Sequence, residues 1–553
     1  MSENADLVFM GGAVYTVDAA RRWAGAVAIR RGRIVAVGTD ADVQDLVGPR
    51  TEVHDLNGRM LLPGFQDAHV HPPSGGWEMA HCNLSDEYEL DAYRRIIRAY
   101  AQEHPEEPWI LGGGWSMDVF PRGAPPKTEL DALVPDRPVF LTSRDGHSAW
   151  VNSKVLELAG ITKETPDPAD GVIERDAEGA PFGTLHEGAM QPVVDLVPEI
   201  TVKDWIDGLL VAQEYLHSLG ITAWQDAIVG GHYPSYEAYK EAASRGDLTA
   251  RVVGALWWDR YRDAGQIAEF IDQRARGTVG RFRATTIKIM QDGVLENFTG
   301  GVLEPYLDAE GNPTENRGKS FVHPEALKVH VTRLDAEGFQ VHFHAIGERS
   351  VRESLDAVEA ARHANGMNDN RHHIAHIQVI HPDDLPRFRE LGVVANGQPL
   401  WAINEGQMLN LTVPFLGAQR STWQYPFASL VRHGAMLAFG SDWSVSSPNP
   451  LWEIHVAVNR LPAPDYPYAR GTEGVFLPEE RIDLPTAIHA FTMGSAYVNH
   501  IEEVTGSIEV GKYADLAVVD RNLFEHPVSE IGHAKVQLTL VEGENVFEDA
   551  SFA

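Results

Sequence analysis

The chain of 553 residues has a single cysteine, Cys82, and no run of ~18 apolar residues. One cysteine cannot form an internal disulfide, so we expect a reducing, cytoplasmic environment. Without a long apolar run, we expect no membrane-spanning helix. The first residues, Met1 to Asp6, lack the basic and apolar segments of a signal peptide, which agrees with a cytoplasmic location.

Basic residues are scarce. The chain has 46 Lys and Arg against 79 Asp and Glu, which gives a formal net charge of −33. This excess of negative charge repels phosphates, so nucleic acid and anionic membrane surfaces are excluded as expected partners. The Gly-x-Gly-x-x-Gly and P-loop motifs of nucleotide-binding folds are also missing. An apolar content of 43% is ordinary for a soluble globular protein.

Strand and helix signals alternate through the middle of the chain. Seven short apolar segments between residues 221 and 440 are predicted as buried strands. Amphipathic stretches, such as 325–337 and 350–364, are predicted as helices between them. Repeated alternation over this length favours an α/β fold with a (β/α)8 TIM-like barrel, with a doubly wound sheet as the alternative. The missing nucleotide-binding motifs count against that alternative.

Short strands separated by turns rich in Gly and Asp occur at both ends of the chain. Because chain ends often lie close together in space, we predict one small β domain built from residues 1–62 and 500–553. The barrel would then occupy residues 63–499.

Residues of about 77–200 interrupt the alternation with one helix, a strand pair and a stretch rich in Pro and Asp. We expect an inserted α/β subdomain here, over the mouth of the barrel, because long insertions at that face usually shape substrate pockets.

The segment from Leu61 to His71 carries the clearest chemical signal. An apolar run with a Pro-Gly turn leads into Asp-x-His-x-His. In an extended strand alternate residues share a face, so Asp67, His69 and His71 are predicted to point the same way. Two imidazoles on one side of a strand make half of a metal site. The alternative is that they are only polar residues at a strand end.

Four further residues of metal-ligating or charged type close short apolar runs, namely Lys288, His344, His376 and Asp442. Active-site residues of a barrel sit at the carboxyl ends of its strands. Taken singly, each histidine is also compatible with a core position, and Asp442 with a turn or helix cap. Ordinary core residues have no reason to fall at the same end of different strands, so the set favours a metal site.

Imidazole and carboxylate ligands suit a divalent ion such as zinc. Such an ion lowers the pKa of bound water towards ~7, and Asp442 is the candidate that takes and later delivers the proton. Lys288 cannot ligate a cation as an ammonium, although a buried neutral lysine can be carboxylated. From the residues alone a salt-bridging role for Lys288 is favoured. His342, one step deeper in its strand than His344, is predicted as a hydrogen-bonded core histidine.

The ordered motifs resemble those of the amidohydrolase superfamily. Their finer sequences are similar to amidohydrolase family 3, the group that includes N-substituted formamide deformylase. The similarity covers essentially the whole chain, and the segments that carry it are Pro63–His71, Ser143–Asn152, Lys288–Gly293, His342–Gly347, Gly440–Trp443 and Gly506–Leu516.

This resemblance implies a metal-bearing barrel with a β-sandwich formed by both termini. It implies a divalent metal centre, zinc and binuclear, in which Lys288 is a carboxylated lysine that bridges two ions. His147, from the inserted segment, would face the substrate as a second catalytic residue beside Asp442. The implied metal ligands are His69, His71, Lys288, His344, His376 and Asp442.

We expect a hydrolase that cleaves a non-peptide C–N bond, such as an amide or formamide, in a small-molecule substrate. An esterase, lactonase, carbamate hydrolase or cyclic-amide hydrolase with the same centre is the first alternative. A non-catalytic, metal-dependent binding or regulatory protein is the second. A homodimer is compatible with the resemblance. Five tryptophans near the predicted mouth are compatible with an apolar or aromatic substrate, although ordinary positions in the hydrophobic core are the favoured interpretation. They are Trp77, Trp115, Trp150, Trp401 and Trp443.

Overall fold

A computed structural model describes residues 4–231, 233–467 and 474–552. At its centre eight parallel strands form a nearly closed barrel in which each strand pairs with the next one along the chain. The (β/α)8 prediction is therefore confirmed, and the doubly wound alternative is wrong. Numbered in chain order, the barrel strands are β8 (Phe65–Val70), β15 (Ile221–Val229), β16 (Arg251–Trp257), β18 (Phe282–Met290), β19 (Gln340–Ala345), β20 (His373–His376), β21 (Val394–Gly397) and β22 (Leu437–Phe439).

The barrel closes where its first strand, β8, meets its last strand, β22. The Asp442 N–H donates to the His69 carbonyl at 2.8 Å. A Cβ atom at Gly440 would lie 2.4 Å from the His69 nitrogen, so only glycine allows this approach. This junction of β8 and β22, the barrel seam, places the His-x-His segment directly beside Asp442.

Helices surround the barrel and cover it with their apolar faces. The predicted helices at 325–337 and 350–364 are confirmed as α10 and α11. Among the described residues, no helix is long and apolar enough to cross a lipid bilayer. The helices that follow barrel strands or their loops are α2 (Pro72–Met79), α7 (Val202–Ser218), α8 (Ser235–Arg245), α9 (Ile267–Arg276), α10 (Pro324–Ala336), α11 (Glu348–Asn365), α12 (Leu385–Leu391), α13 (Val413–Leu416), α14 (Ala418–Ser421), α15 (Phe427–Arg432), α16 (Pro450–Asn459), α17 (Leu484–His489) and α18 (Ser495–Val498).

Residues from both chain ends form two facing sheets. A four-stranded sheet has the order β5-β4-β1-β6, and a six-stranded sheet has the order β25-β24-β23-β7-β2-β3. In the second sheet Leu61 of β7 pairs with Val518 of β23 in antiparallel register. Apolar side chains of both sheets, among them Phe9 and Leu538, share one buried cluster. The domain boundaries stay predictions, and their outer limits at residues 1 and 553 lie outside the described residues.

The elements of this two-ended region are β1 (Leu7–Met10), β2 (Ala13–Tyr15), β3 (Trp23–Ala24), β4 (Ala26–Arg30), β5 (Arg33–Gly38), α1 (Asp40–Gln44), β6 (Glu52–Asp55), β7 (Met60–Pro63), β23 (Leu516–Val519), β24 (Val536–Val541) and β25 (Glu544–Glu548). A short strand, β17 (Thr278–Val279), pairs with β18 of the barrel.

The segment between β8 and α7 builds a separate mixed sheet with the order β13-β14-β12-β11-β10-β9. Trp115 and Trp150 are fully buried in the core of this subdomain. The expectation that these two tryptophans line the mouth is wrong, because they pack inside the insertion. Its elements are β9 (Cys82–Asn83), α3 (Leu90–Glu103), β10 (Ile110–Trp115), α4 (Lys127–Leu133), β11 (Val139–Ser143), β12 (Ser148–Val151), α5 (Ser153–Leu158), β13 (Gly171–Arg175), β14 (Pro181–Glu187) and α6 (Gln191–Val194).

Candidate metal centre

Three predicted ligands meet at the barrel seam. His69 lies on β8, His71 lies one residue beyond it at the start of α2, and Asp442 follows β22. Asp442 Oδ1 is 2.9 Å from His71 Nε2 and 3.1 Å from His69 Nε2. Donor atoms that share one ion lie roughly 3 Å apart, because each bond to zinc is about 2.0–2.2 Å long. The trio therefore has the spacing of ligands to a single cation.

His344 and His376 extend the cluster on β19 and β20. The His376 ring centre lies 4.4 Å from that of His344 and 4.7 Å from that of His69. His376 Nδ1 is 3.8 Å from Asp442 Oδ2. Both ring nitrogens of His376 are buried without a hydrogen-bond partner among the described residues. Buried polar atoms are costly when unpaired, so this imidazole fits a position beside a metal ion.

Lys288 lies on β18 and is 1% exposed. Burial lowers the pKa of its amine to about 7, against the opposing attraction of Asp442 and Asp226. Within the part of the chain that the structure describes, no ion pair joins Lys288 to a carboxylate. The salt-bridge alternative is therefore not observed, and a neutral amine is available for carboxylation.

His344 is oriented by Asp292, a residue that the sequence reading gave no role. Asp292 Oδ1 lies 3.2 Å from His344 Nδ1 and accepts a hydrogen bond from the Ile346 N–H at 3.0 Å. Its other oxygen accepts from the Gly301 and Gly347 N–H groups at 2.8 and 3.0 Å. Burial raises the pKa of Asp292 to about 6 despite these bonds. The only sequence signal was its place in the Lys288–Gly293 motif.

His147 comes from the loop between β11 and β12 and lines the same cavity. Its N–H donates to Asp145 Oδ1 at 3.0 Å, which fixes the loop. Its Nδ1 lies 2.8 Å from Glu187 Oε1, and its ring centre lies 5.2 Å from that of His344. The insertion thus places an imidazole opposite the barrel ligands. Glu187 had no distinguishing signal in the sequence.

His147 and Glu187 form a buried ion pair. Burial lowers the pKa of His147, but the Glu187 carboxylate outweighs it and raises the value to about 9. Burial raises the pKa of Glu187, but the attraction of His147 outweighs it and lowers the pKa to about 2. At neutral pH the pair is an imidazolium and a carboxylate. The imidazolium then has a second N–H, at Nε2, that is not used by Glu187.

The cluster opens into a cavity of about 570 Å³ between the barrel and the insertion. This volume suits a small molecule. Trp77 and Trp401 line it as expected, whereas Trp443 packs under the wall against Gly75 and Tyr215. Aromatic side chains that the sequence reading missed also line the cavity, namely Trp205, Tyr233 and Trp257.

An eight-stranded parallel barrel with this histidine and carboxylate cluster at one end is the architecture of a metal-dependent hydrolase. The sequence pattern described as "Amidohydrolase family" matches residues 52–547. The chain therefore belongs to amidohydrolase family 3.

Two relatives and one solved structure show how far the similarity extends. Protein LONG AFTER FAR-RED 3 of Arabidopsis thaliana is 31% identical over 98% of this chain and 92% of its own length. N-substituted formamide deformylase of Arthrobacter pascens is 26% identical over 98% of both chains. An uncharacterized metal-dependent hydrolase from Pyrococcus furiosus has a TM-score of 0.70 and 26% identity, over 93% of this chain and 99% of its own. These similarities support a hydrolase that requires a divalent metal.

We expect metal removal to destabilise the protein. A ligand that binds only the folded state stabilises it by about 4 kcal/mol when its free concentration is 1,000 times the Kd. Dialysis against a chelator should therefore lower the melting temperature, and added Zn²⁺ should restore it. The His376→Gln variant serves as the control, because it should show a smaller change on chelation. An unchanged melting temperature in the wild type would contradict a metal at this site.

Proposed function

We propose that the protein is a zinc-dependent amidohydrolase that cleaves a C–N bond of a small molecule outside a peptide chain. The observation that carries this proposal is the convergence of His69, His71 and Asp442 at the floor of a cavity whose opposite wall holds His147. The name of the formamide deformylase relative supports a C–N bond as the target.

A divalent ion at this position supplies a Lewis acid and lowers the pKa of bound water towards ~7. We propose that His69, His71, His344, His376 and Asp442 hold it. Lys288, once carboxylated on Nζ, would supply a further anionic ligand that two ions could share. That modification forms an N–C bond between the neutral amine and CO₂ and releases one proton, which the lowered pKa of Lys288 favours.

The chain's own residues then perform two tasks. Asp442 accepts the proton of the attacking water and delivers it to the departing nitrogen, a transfer worth about 10²- to 10⁴-fold in rate. The Nε2–H of His147 donates a hydrogen bond to the carbonyl oxygen, on which negative charge develops. Glu187 keeps that imidazole protonated and correctly turned through the 2.8 Å contact at Nδ1.

The cavity wall favours a substrate with an apolar or aromatic group. Tryptophan faces supply area for such a group, and two of the charged side chains in the wall are held in ion pairs. Glu187 is paired with His147, and Arg260 forms an ion pair with Asp170 at 2.7 Å. A panel of N-substituted formamides, amides, esters, lactones, carbamates and cyclic amides tests this proposal directly. Faster turnover of esters than of matched amides would favour the first alternative.

The metal count follows from one crystallographic measurement. Anomalous scattering at the zinc edge should show two ions, with density for a carbamate on Lys288 between them. Reloading metal-free protein with Zn²⁺ should go further in the presence of bicarbonate than in its absence. A single ion beside an unmodified Lys288 would establish a mononuclear centre instead.

The Asp442→Asn variant should fold and lose most of its turnover. The amide cannot accept the proton, so kcat should fall by at least about 100-fold on the best substrate of the panel. The matched control is Asp272→Asn, because Asp272 is an exposed carboxylate on α9 that pairs with Arg276, away from the cavity. Near-wild-type turnover of Asp442→Asn, with an unchanged circular dichroism spectrum, would remove Asp442 from the mechanism. Bound zinc without turnover of any substrate would favour a binding or regulatory protein.

The pH dependence of kcat/KM should report the His147–Glu187 pair. The folded pKa of His147, about 9, lies above its ordinary value of 6.5, so the imidazolium persists at neutral pH and is lost as the pH rises through 9. Activity should therefore decline on the alkaline side near pH 9. In Glu187→Gln the carboxylate is gone and burial lowers the pKa of His147, so the decline should move to lower pH. An alkaline limb that does not move in this variant would contradict the role of the pair.

A further inference from the structure

A network of hydrogen-bonded, buried polar side chains lies under the metal cluster, inside the barrel. None of its members is predicted to touch substrate, and each is at most 4% exposed. They come from five different barrel strands and from the residue after α18. They are Gln225, Thr286, Gln340, His342, His373, Asn396 and Asn499.

Gln340, at the end of this network farthest from the metal cluster, sets the direction of its hydrogen bonds. Its Nε2 lies 2.8 Å from the carbonyl oxygens of both Arg371 and Val498. A carbonyl oxygen only accepts hydrogen bonds, so the NH₂ group of Gln340 must be at this end. Its Oε1 therefore accepts hydrogen bonds from Gln225 Nε2 at 3.1 Å and from Thr286 Oγ1 at 2.7 Å.

Gln225 determines which ring nitrogen is protonated in two histidines. Because its NH₂ group donates to Gln340, its Oε1 faces His342 Nδ1 at 2.7 Å and His373 Nε2 at 2.9 Å. The amide oxygen can only accept, so both of these ring nitrogens must carry a proton.

A contact of Asn396 with a backbone carbonyl independently places the proton of His373 on Nε2. Asn396 Nδ2 donates to the Ala68 carbonyl at 2.9 Å, which fixes it as the NH₂ group. It also lies 3.2 Å from His373 Nδ1, which must then be the bare, accepting nitrogen. The single proton of a neutral His373 is therefore on Nε2. Both rings are fully buried with their centres 4.0 Å apart, and among the described residues no ion pair joins either ring to a carboxylate, so each ring is neutral and carries one proton.

His342 links this network to the metal cluster, because it is hydrogen-bonded to His69. With its proton on Nδ1, its Nε2 is bare and accepts a hydrogen bond from His69 Nδ1 at 2.8 Å. A neutral His69 then has a bare Nε2, which lies 3.1 Å from the Asp442 carboxylate. Two lone-pair atoms face each other at this distance, an unfavourable arrangement unless a cation lies between them.

We infer that Gln225 and His342 are positioning residues that hold His69 as the Nδ1–H tautomer, with its Nε2 lone pair directed to the metal. The hydrogen bonds run from the carbonyls of Arg371 and Val498 to His69, and their directions permit only this tautomer. The inference rests on the proposed metal centre and adds to it the groups that prepare one ligand before the ion arrives. Groups that orient metal-ligating histidines typically contribute about 10- to 100-fold in metal affinity.

The first test is Zn²⁺ affinity, measured by competition with a chromogenic chelator. His342→Phe removes the acceptor for His69 Nδ1–H, and Gln225→Met removes the group that sets the His342 tautomer. Both should bind Zn²⁺ about 10- to 100-fold more weakly than the wild type. His342→Gln, whose amide oxygen can accept at the position of Nε2, should recover most of the affinity. The matched control is His372→Gln. His372 is equally buried, but its partners, Asp335 and the Val341 N–H, do not belong to this hydrogen-bond network.

Wild-type affinity in His342→Phe and Gln225→Met, or equal weakening in His372→Gln, would overturn the inference. A second measurement applies even where a variant fails to fold. In zinc-loaded wild-type protein labelled with ¹⁵N-histidine, the His69 ring should carry its proton on Nδ1, with the signal assigned by its loss in His69→Asn. A proton on Nε2 would overturn the inference. A wild type that binds Zn²⁺ with the expected pattern but turns over no substrate would contradict the proposed reaction and leave the inference standing.

Discussion

The hydrogen bonds of one buried carboxylate, Asp67, hold together the two strands on which the metal site depends. Asp67 Oδ1 accepts from the His69 and Ser441 N–H groups at 2.9 and 3.1 Å, and Oδ2 accepts from Ser441 Oγ at 2.6 Å. Among the described strands, no backbone ladder joins β8 to β22, so the barrel closes here through these side-chain bonds and two backbone bonds of the residues that follow β22. Burial raises the pKa of Asp67 to about 7, and its donors oppose that shift. Together with the backbone bond from the Asp442 N–H to the His69 carbonyl, this bridge holds the two histidines of the His-x-His segment beside Asp442.

The site is assembled from a rigid part and an added part. The barrel supplies the cluster on strands whose side chains are fixed by burial and by groups such as Asp292, which accepts from three backbone N–H groups. The insertion supplies His147, Glu187 and about half of the cavity wall. In such a division the metal cluster determines which bond can be attacked, and the insertion together with the barrel loops determines which molecule fits. Relatives with similar clusters can therefore differ in substrate.

The sequence predicts the parts of the site that are encoded locally. Lys288, His344 and His376 each occur within a short apolar run, and the structure places all three on barrel strands as the periodicity indicated. His71 was expected within the strand but is the residue that precedes α2, because β8 ends at Val70. Partners distant in the chain were not predictable. Glu187 is 40 residues from His147, and Gln225 is 117 residues from His342, so only the folded arrangement reveals either pair. The roles of these residues in turnover remain predictions.

The antiparallel pairing of β7 with β23 has a consequence for how the protein is made. β7 ends at Pro63, two residues before the strand that carries His69, yet its neighbour in the sheet is Leu516–Val519. A ribosome adds about 5–20 residues per second, so β7 waits for tens of seconds before its partner has been synthesised. During that time an apolar strand edge is exposed beside the first half of the metal site. The barrel therefore gains its complete β base only after residues 516–519 have been synthesised, and until then this strand edge is open to binding by chaperones.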